Sequence, residues 1–267
     1  MTRRDLLAAG TAAATAALAQ RLEAAGLPAL GAPQGQMDMG GAAARPVAML
    51  LYPGFAALDL VGPNAWLAMH GNVRYVAKTM RPVRSDDGLT FQPTQTLASC
   101  PKDLDVLLVP GGDEGTLAAM RDEETVRFLR TRGARASHVC SVCTGVALLG
   151  AAGLLEGKRA TGHWMVRDLL PLFGATPVPE RVVRDGRLWT AAGVTAGLDL
   201  GMAMVVHLYG EEHARTMQLA MEYDPKPPLD AGTPAKAGPE LTRAVREHSK
   251  HLLDGVRNVA AKRRMGT

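Results

Sequence analysis

Between residues 46 and 209 the chain alternates short unbroken apolar runs with stretches whose apolar positions recur at helical spacing. Unbroken runs of strand length belong to strands covered on both faces, as in a parallel sheet, while recurrence at i, i+3 and i+4 marks helices with one buried stripe. The first run, Pro46–Tyr52, ends at Pro53-Gly54. Phe55–Met69 has helical spacing, with Pro63 predicted in the first turn, where a missing N–H is harmless. Val73–Lys78 is a second strand, Ser85–Gly88 a turn, and Leu89–Thr94 a short edge strand, because Pro93 suits a central position poorly. Asp105–Val109 is a further buried strand that runs into Pro110-Gly111-Gly112. Asp122–Arg132 is predicted as an amphipathic helix with Val126 and Leu129 inward and Gly133 as its stop. Ser137–Gly150 opens as a β-branched strand, turns at Cys143-Thr144-Gly145 and becomes an apolar helix through Leu148 and Leu149.

Past Gly157, Lys158–Trp164 is a short strand leading into a helix to about Phe173. Arg181–Thr190 is the clearest hairpin, two strands around Asp185-Gly186. Gly193–Gly197 turns into the apolar helix Leu198–Tyr209, and Glu211–Met221 is another helix. Asp224–Pro228 is extended. From Pro239 one last helix presents Leu241, Val245, Leu252, Val256 and Val259 on one face, suited to the body of the protein or to a second subunit. There is no internal repeat. The alternation predicts an α/β domain with a mainly parallel sheet, and in such folds ligands sit at the carboxyl ends of the strands. Asp59, Gly112 and Cys143 each follow a different strand at that end.

The first 44 residues break this pattern. Arg3-Arg4, an alanine-rich run to Ala19 and the small-residue cleavage candidate Ala17-Leu18-Ala19 have the layout of a twin-arginine export signal, with a disordered or helical extension as the other reading. Leu27–Ala44 reads as a Gly/Pro/Ala linker. The expected organisation is signal and linker over 1–44, catalytic domain over 45–234, and C-terminal helix with basic tail over 235–267. A working signal places the folded protein in the periplasm; otherwise it is cytoplasmic. No stretch is long enough for stable membrane insertion. The formal charge of +4 is modest, with no basic stripe interleaved with aromatics, so nucleic acid is not an expected partner.

Among the candidate chemical groups, Cys143 stands out. A strand–Cys-Thr-Gly–helix order is the nucleophile-elbow arrangement with sulfur in place of oxygen, and the helix N–H groups beside it favour the thiolate. Cys140 and Cys143 have C-x-x-C spacing. In an extended strand, however, they stand about 10 Å apart, beyond the roughly 7 Å limit for a bridge. No second cysteine or histidine pair completes a zinc site. Asp59 fits either a capping or turn aspartate or an acid in the cleft. Gly111-Gly112 allows backbone N–H groups to approach a ligand, as an oxyanion site needs, or is an ordinary tight turn. His163 fits a solvated or capping residue, or a group facing the cleft.

These motifs resemble the ThiJ/PfpI superfamily, which is class I glutamine amidotransferase-like, and within it the branch that hydrates isonitriles. The resemblance covers residues 46–234 and rests on Leu58–Pro63, Val109–Gly112, Ser141–Gly145, Gly150–Leu155, Gly157–Thr161, His163-Trp164, Glu180–Gly186 and Glu222-Tyr223. It implies a flavodoxin-like three-layer α/β/α sandwich, a homodimer, a small-molecule substrate, and neither cofactor nor metal. By position it makes Cys143 the nucleophile, Asp59 the acid/base, Thr144 the neighbour that holds the intermediate by backbone or hydroxyl, and Gly112 and His163 the groups around substrate and oxyanion. Relatives with peptidase activity carry His directly after the cysteine, whereas this chain has Thr144. Where relatives often have Thr-Thr-His it has Thr161-Gly162-His163. The implied reaction is hydration of an isonitrile to an N-substituted formamide. The alternatives are a small-molecule or redox sensor domain without catalysis, or glyoxalase or deglycase chemistry.

Overall fold

The structure, a computed structural model, describes residues 45–264. The export signal and linker read from the sequence lie outside the described residues. The central sheet is assembled from β1 (Arg45–Leu50), β2 (Gly71–Ala77), β5 (Gln95–Thr96), β6 (Val106–Val109), β7 (His138–Val142), β10 (Val182–Asp185) and β11 (Leu188–Ala191). Their order is β10-β11-β7-β6-β1-β2-β5, and every neighbouring pair is parallel except the β10–β11 hairpin. Val106–Val109 and Val139–Val142 are buried along their whole length, which is why these strands read as unbroken apolar runs rather than alternating ones.

Handedness sets the layers. The crossover from β1 to β2 carries α1 (Ala57–Leu67) toward one edge of the sheet. The crossover from β6 to β7 carries α2 (Glu114–Arg121) and α3 (Glu123–Arg135) toward the other. Right-handed connections running in opposite directions place their helices on opposite faces. α4 (Gly145–Ala151) packs on α2 and α3, whereas α6 (Ala196–Tyr209) packs on α1 and α7 (Glu211–Ala220). The expected flavodoxin-like sandwich is borne out, and the direction reverses between β1 and β6, where such folds open a crevice at the carboxyl ends.

Several local expectations are corrected. Helix α1 begins at Ala57, so Pro63 lies in its interior, where its missing N–H leaves the Asp59 carbonyl without the helical i+4 donor. The sheet edge is β5; Thr90–Phe91 (β4) instead pairs antiparallel with Val83–Arg84 (β3) in a separate hairpin. Helix α2 went unread, because Gly115 and Thr116 are poor helix formers and it follows directly on Gly111-Gly112. Gly133 does not stop α3 but lies within it: a Cβ there would stand 2.6 Å from Leu154 Cδ1, so glycine admits a neighbouring side chain. The helix expected to reach Phe173 is a single turn, α5 (Trp164–Arg167), followed by a 3-10 turn at Leu170–Phe173; β8 (Arg159–Ala160) and β9 (Thr176–Pro177) pair around them.

The terminal helix expected from Pro239 is two pieces, α9 (Pro239–His248) and α10 (Lys250–Arg264), preceded by the single turn α8 (Pro234–Ala237). The break at Ser249 separates Leu241 and Val245, both exposed, from Leu252 and Val256, which are buried where α10 packs on α2 and α4.

Candidate active site

Three carboxyl ends converge: the β1–α1 loop with the first turn of α1, the Pro110–Gly112 loop after β6, and the turn after β7. Cys143 occupies that last turn with φ +59°, a left-handed conformation that a residue with a Cβ adopts only when its surroundings hold it there. They do so on both sides. The Cys143 N–H donates to the Ala192 carbonyl (2.8 Å), and its own carbonyl accepts from the His163 N–H (3.1 Å). The residue is 7 % exposed.

The thiol is not the thiolate that the helix start alone predicts. Burial pushes the Cys143 thiol well above its ordinary range and the nearby Asp59 carboxylate pushes it further. Backbone N–H groups of Thr144 and Val194 pull the other way, toward the thiolate, and are outweighed. Burial and the carboxylate thus favour the protonated thiol, while the two N–H groups at the sulfur favour the charged form.

Asp59 lies in the first turn of α1 rather than in the preceding loop, and it is fully buried. Its Oδ2 accepts from the Gly111 N–H (2.8 Å), while Oδ1 is a buried oxygen without a hydrogen-bond partner among the described residues. Burial raises its carboxyl to about 7 against the restraint of the Gly111 N–H; Asp86 raises it further and the neighbouring thiol holds it down. Cys143 and Asp59 are thus coupled, through their charges and through a side-chain hydrogen bond that favours the carboxylate on one side and the protonated thiol on the other.

The two loop glycines are close-approach positions. A Cβ on Gly111 would stand 2.7 Å from Asp59 Oδ2 and 2.6 Å from Thr144 Oγ1, and one on Gly112 would stand 2.4 Å from the Gly54 carbonyl. Gly112 also has φ +156°. The oxyanion role expected of Gly112 is not open to its N–H, which donates to Thr144 Oγ1 (3.0 Å). Likewise the Thr144 hydroxyl, expected as one way to hold an intermediate, donates to the Gly112 carbonyl (2.5 Å) and meets Thr116 Oγ1 (2.9 Å). That leaves the Thr144 main-chain N–H at the sulfur. His163 contributes its backbone to Cys143, while its Nδ1 accepts from the Met165 N–H (3.4 Å) as the N-cap of α5. Burial lowers its pKa and keeps the ring neutral near neutral pH. At Gly162, where relatives have a second threonine, a Cβ would stand 2.4 Å from Val146 Cγ1.

Cys140 takes no part. It is a free, fully buried cysteine whose Sγ lies 3.9 Å from Met204 Sδ, which removes the C-x-x-C pairing. Among the described residues no cluster of three or more His, Cys, Asp or Glu could hold a metal ion. Sequence reasoning missed Asp86, which it read only as part of a turn, along with Val194, Thr116 and Tyr52. Tyr52 gave one legible signal, a polar tip at the ligand end of an apolar strand.

Residues 45–207 match the model of the DJ-1/PfpI family. This chain belongs to the DJ-1/PfpI family. The recognition made from its motifs therefore holds, and the matched region runs from β1 into α6. Isonitrile hydratase of Pseudomonas putida is 46% identical to this DJ-1/PfpI chain over 209 residues, 78% of this chain and 91% of that protein. The crystal structure of a ThiJ/PfpI family protein from Pseudomonas syringae matches with a TM-score of 0.81 at 45% identity, covering 85% of this chain and 98% of the other. A deglycase of Pyrococcus horikoshii is 28% identical over 156 residues, 58% of this chain and 93% of its own length.

Proposed function

We propose that this protein is a hydro-lyase that converts isonitriles to N-substituted formamides through a thioimidate on Cys143. The observation that carries the reading is the pairing of a buried thiol, Cys143, with a buried carboxyl, Asp59, in a chain 46% identical to an isonitrile hydratase. An isonitrile carbon needs a nucleophile and a proton at the same atom, and this pair provides both.

The sulfur attacks the isonitrile carbon while its proton passes to Asp59 Oδ1. Asp59 returns that proton to the same carbon, leaving R–N=CH–S–Cys143. Water, deprotonated by Asp59, adds to the C=N carbon; nitrogen is protonated, the C–S bond breaks, and sulfur recovers its proton as R–NH–CHO departs. The N–H groups of Thr144 and Val194 stabilise the sulfur when it carries charge. The Gly111 N–H fixes the carboxylate so that Oδ1 remains the working oxygen. Gly112 and the Thr144 hydroxyl brace this loop, and His163 supports the turn through its backbone N–H.

The reactive form has a thiol and a carboxylate, so turnover rises with pH through about 7, where Asp59 ionises. The deciding assay incubates the purified protein with alkyl and aryl isonitriles and follows formamide. Failure to turn over any of them, with turnover of glyoxals, would replace this reading by deglycase-type chemistry.

The protein also acts as a homodimer in this proposal. Leu58 (42 % exposed) and Val61 (41 % exposed) present an apolar face on α1 beside the buried Asp59, which a second copy would cover. Sedimentation as a monomer at micromolar concentration refutes this. The Arg3-Arg4 segment supports export to the periplasm, for which retention in the cytoplasm on replacing both arginines with lysine is the check.

A further inference from the structure

Against the Pro110–Gly112 loop lies a buried row of three hydroxyls, Tyr52, Thr116 and Thr144, that takes no proton in the reaction proposed above. The Tyr52 hydroxyl donates to the Pro110 carbonyl (2.7 Å) and meets Thr116 Oγ1 (3.1 Å). Thr116 donates to the Gly112 carbonyl (2.8 Å) and meets Thr144 Oγ1. The Gly111 carbonyl accepts from the Ala56 N–H (2.8 Å). Every carbonyl of the loop is therefore tied down, and the one loop N–H that faces Asp59, that of Gly111, is held at 2.8 Å from Oδ2. Thr116 is fully buried and Tyr52 nearly so. A buried hydroxyl would be a needless polar burden on the end of an apolar strand unless something depended on it.

We propose that Tyr52 and Thr116 are positioning residues: together they fix the Pro110–Gly112 loop so that the Gly111 N–H stays on the Asp59 carboxylate and sets the pH at which that carboxylate becomes available. This rests on the acid/base reading of Asp59. A hydrogen bond to the charged form of a buried carboxyl is what opposes its desolvation. If the loop loosens, that restraint weakens and Asp59 stays protonated to a higher pH. The titratable groups facing Asp59 are Cys143 at the turn after β7, Asp86 on the β3–β4 turn, and Tyr52 itself at the end of β1. Burial keeps the Tyr52 phenol protonated, so its replacement by phenylalanine removes a donor without removing a charge. Its ring, edge-on to Phe55 at 6.2 Å, is kept by the same replacement.

The test compares wild type with Tyr52→Phe, Thr116→Val and Thr116→Ser. The first readout is the acid limb of kcat/KM for isonitrile hydration. The second is independent of turnover: the 13C carboxyl shift of Asp59 against pH, assigned by its disappearance in Asp59→Asn. Tyr52→Phe and Thr116→Val should raise both midpoints by about half a pH unit or more, so that activity at pH 6 falls about threefold relative to the alkaline plateau. Thr116→Ser, which keeps a hydroxyl, should retain the wild-type midpoint. Unmoved midpoints in both hydroxyl-deleted proteins, or an equal loss of rate at every pH, would overturn the proposal; a shift in only one overturns the joint role. Should Tyr52→Phe not fold, Thr116→Val decides. If wild type turns over no isonitrile, the proposed function fails while the carboxyl titration still tests this inference.

Discussion

Cys140 and Cys143 lie three residues apart on and just after one strand, both buried and both with thiols raised by burial, yet only one is equipped for chemistry. Cys140 sits in β7 with its thiol against Met204 of α6, and burial is what raises it. Cys143 sits in a left-handed turn with a carboxyl and two backbone N–H groups around its sulfur. Burial alone makes a cysteine inert. The difference is the company the sulfur keeps: a buried carboxyl that favours the thiol and two backbone N–H groups that favour the thiolate.

The strongest way to break this contrast is to remove each sulfur. Cys143→Ala should lower isonitrile turnover by at least about 10³-fold, whereas Cys140→Ala, a change of one buried atom with no catalytic partner, should leave turnover within about twofold and cost on the order of 1 kcal/mol of stability. Comparable activity losses in the two proteins would erase the distinction.

Replacing the acceptor comes next. Asp59→Asn should cost about 10²- to 10⁴-fold in turnover, the range for a general acid–base group, yet make the protein more stable. The folded Asp59 carboxyl, raised to about 7, lies above its unfolded value, so the native state favours the protonated form. That advantage is fully present below the unfolded pKa and is lost as pH rises through about 7. Compared with wild type, the asparagine protein should show no relative gain near pH 3, and a gain growing to as much as about 4 kcal/mol above pH 7. Denaturant melts at pH 3, 5 and 8 decide it; a gain independent of pH would mean that Asp59 is not the group that titrates.

The smallest effect concerns modification. Iodoacetamide should label Cys143 and leave Cys140 untouched in the native protein, with a rate that climbs with pH because the resting thiol must first lose its proton. Peptide mapping of label on Cys140 at comparable rate would show that its burial does not protect it.

What the sequence reveals about this pair follows from how local each determinant is. The β7 turn, the β10–β11 hairpin and the apolar parallel strands were legible because period and turn chemistry act within a few residues. The corrected elements depend on partners far along the chain. Gly133 stays helical because Leu154 comes to rest on it, and Pro63 lies inside α1 because the helix begins a turn and a half earlier, at Ala57. Within the site, Asp59 and Cys143 were legible as positions at strand ends, but the state of the thiol was not. The helix start argued for a thiolate; the weight of burial and of a carboxylate 84 residues earlier in sequence appears only once the chain has folded. The Gly112 N–H, a natural candidate for oxyanion binding, was misread for the same reason: its acceptor, Thr144, is on another loop.

The reversal of the sheet between β1 and β6 has a consequence for how this site can diversify. Asp59 arrives on the helical layer of α1 and α6, Cys143 at the entrance to the layer of α2 and α4, and they meet only over the carboxyl ends of the strands. Asp59 and Cys143 thus come from helical layers on opposite faces of one sheet, joined through a single core. A substitution at position 59 can therefore alter the length, charge or reach of the carboxyl from the α1 side while the turn that carries the sulfur keeps its own backbone bonds to Ala192 and His163.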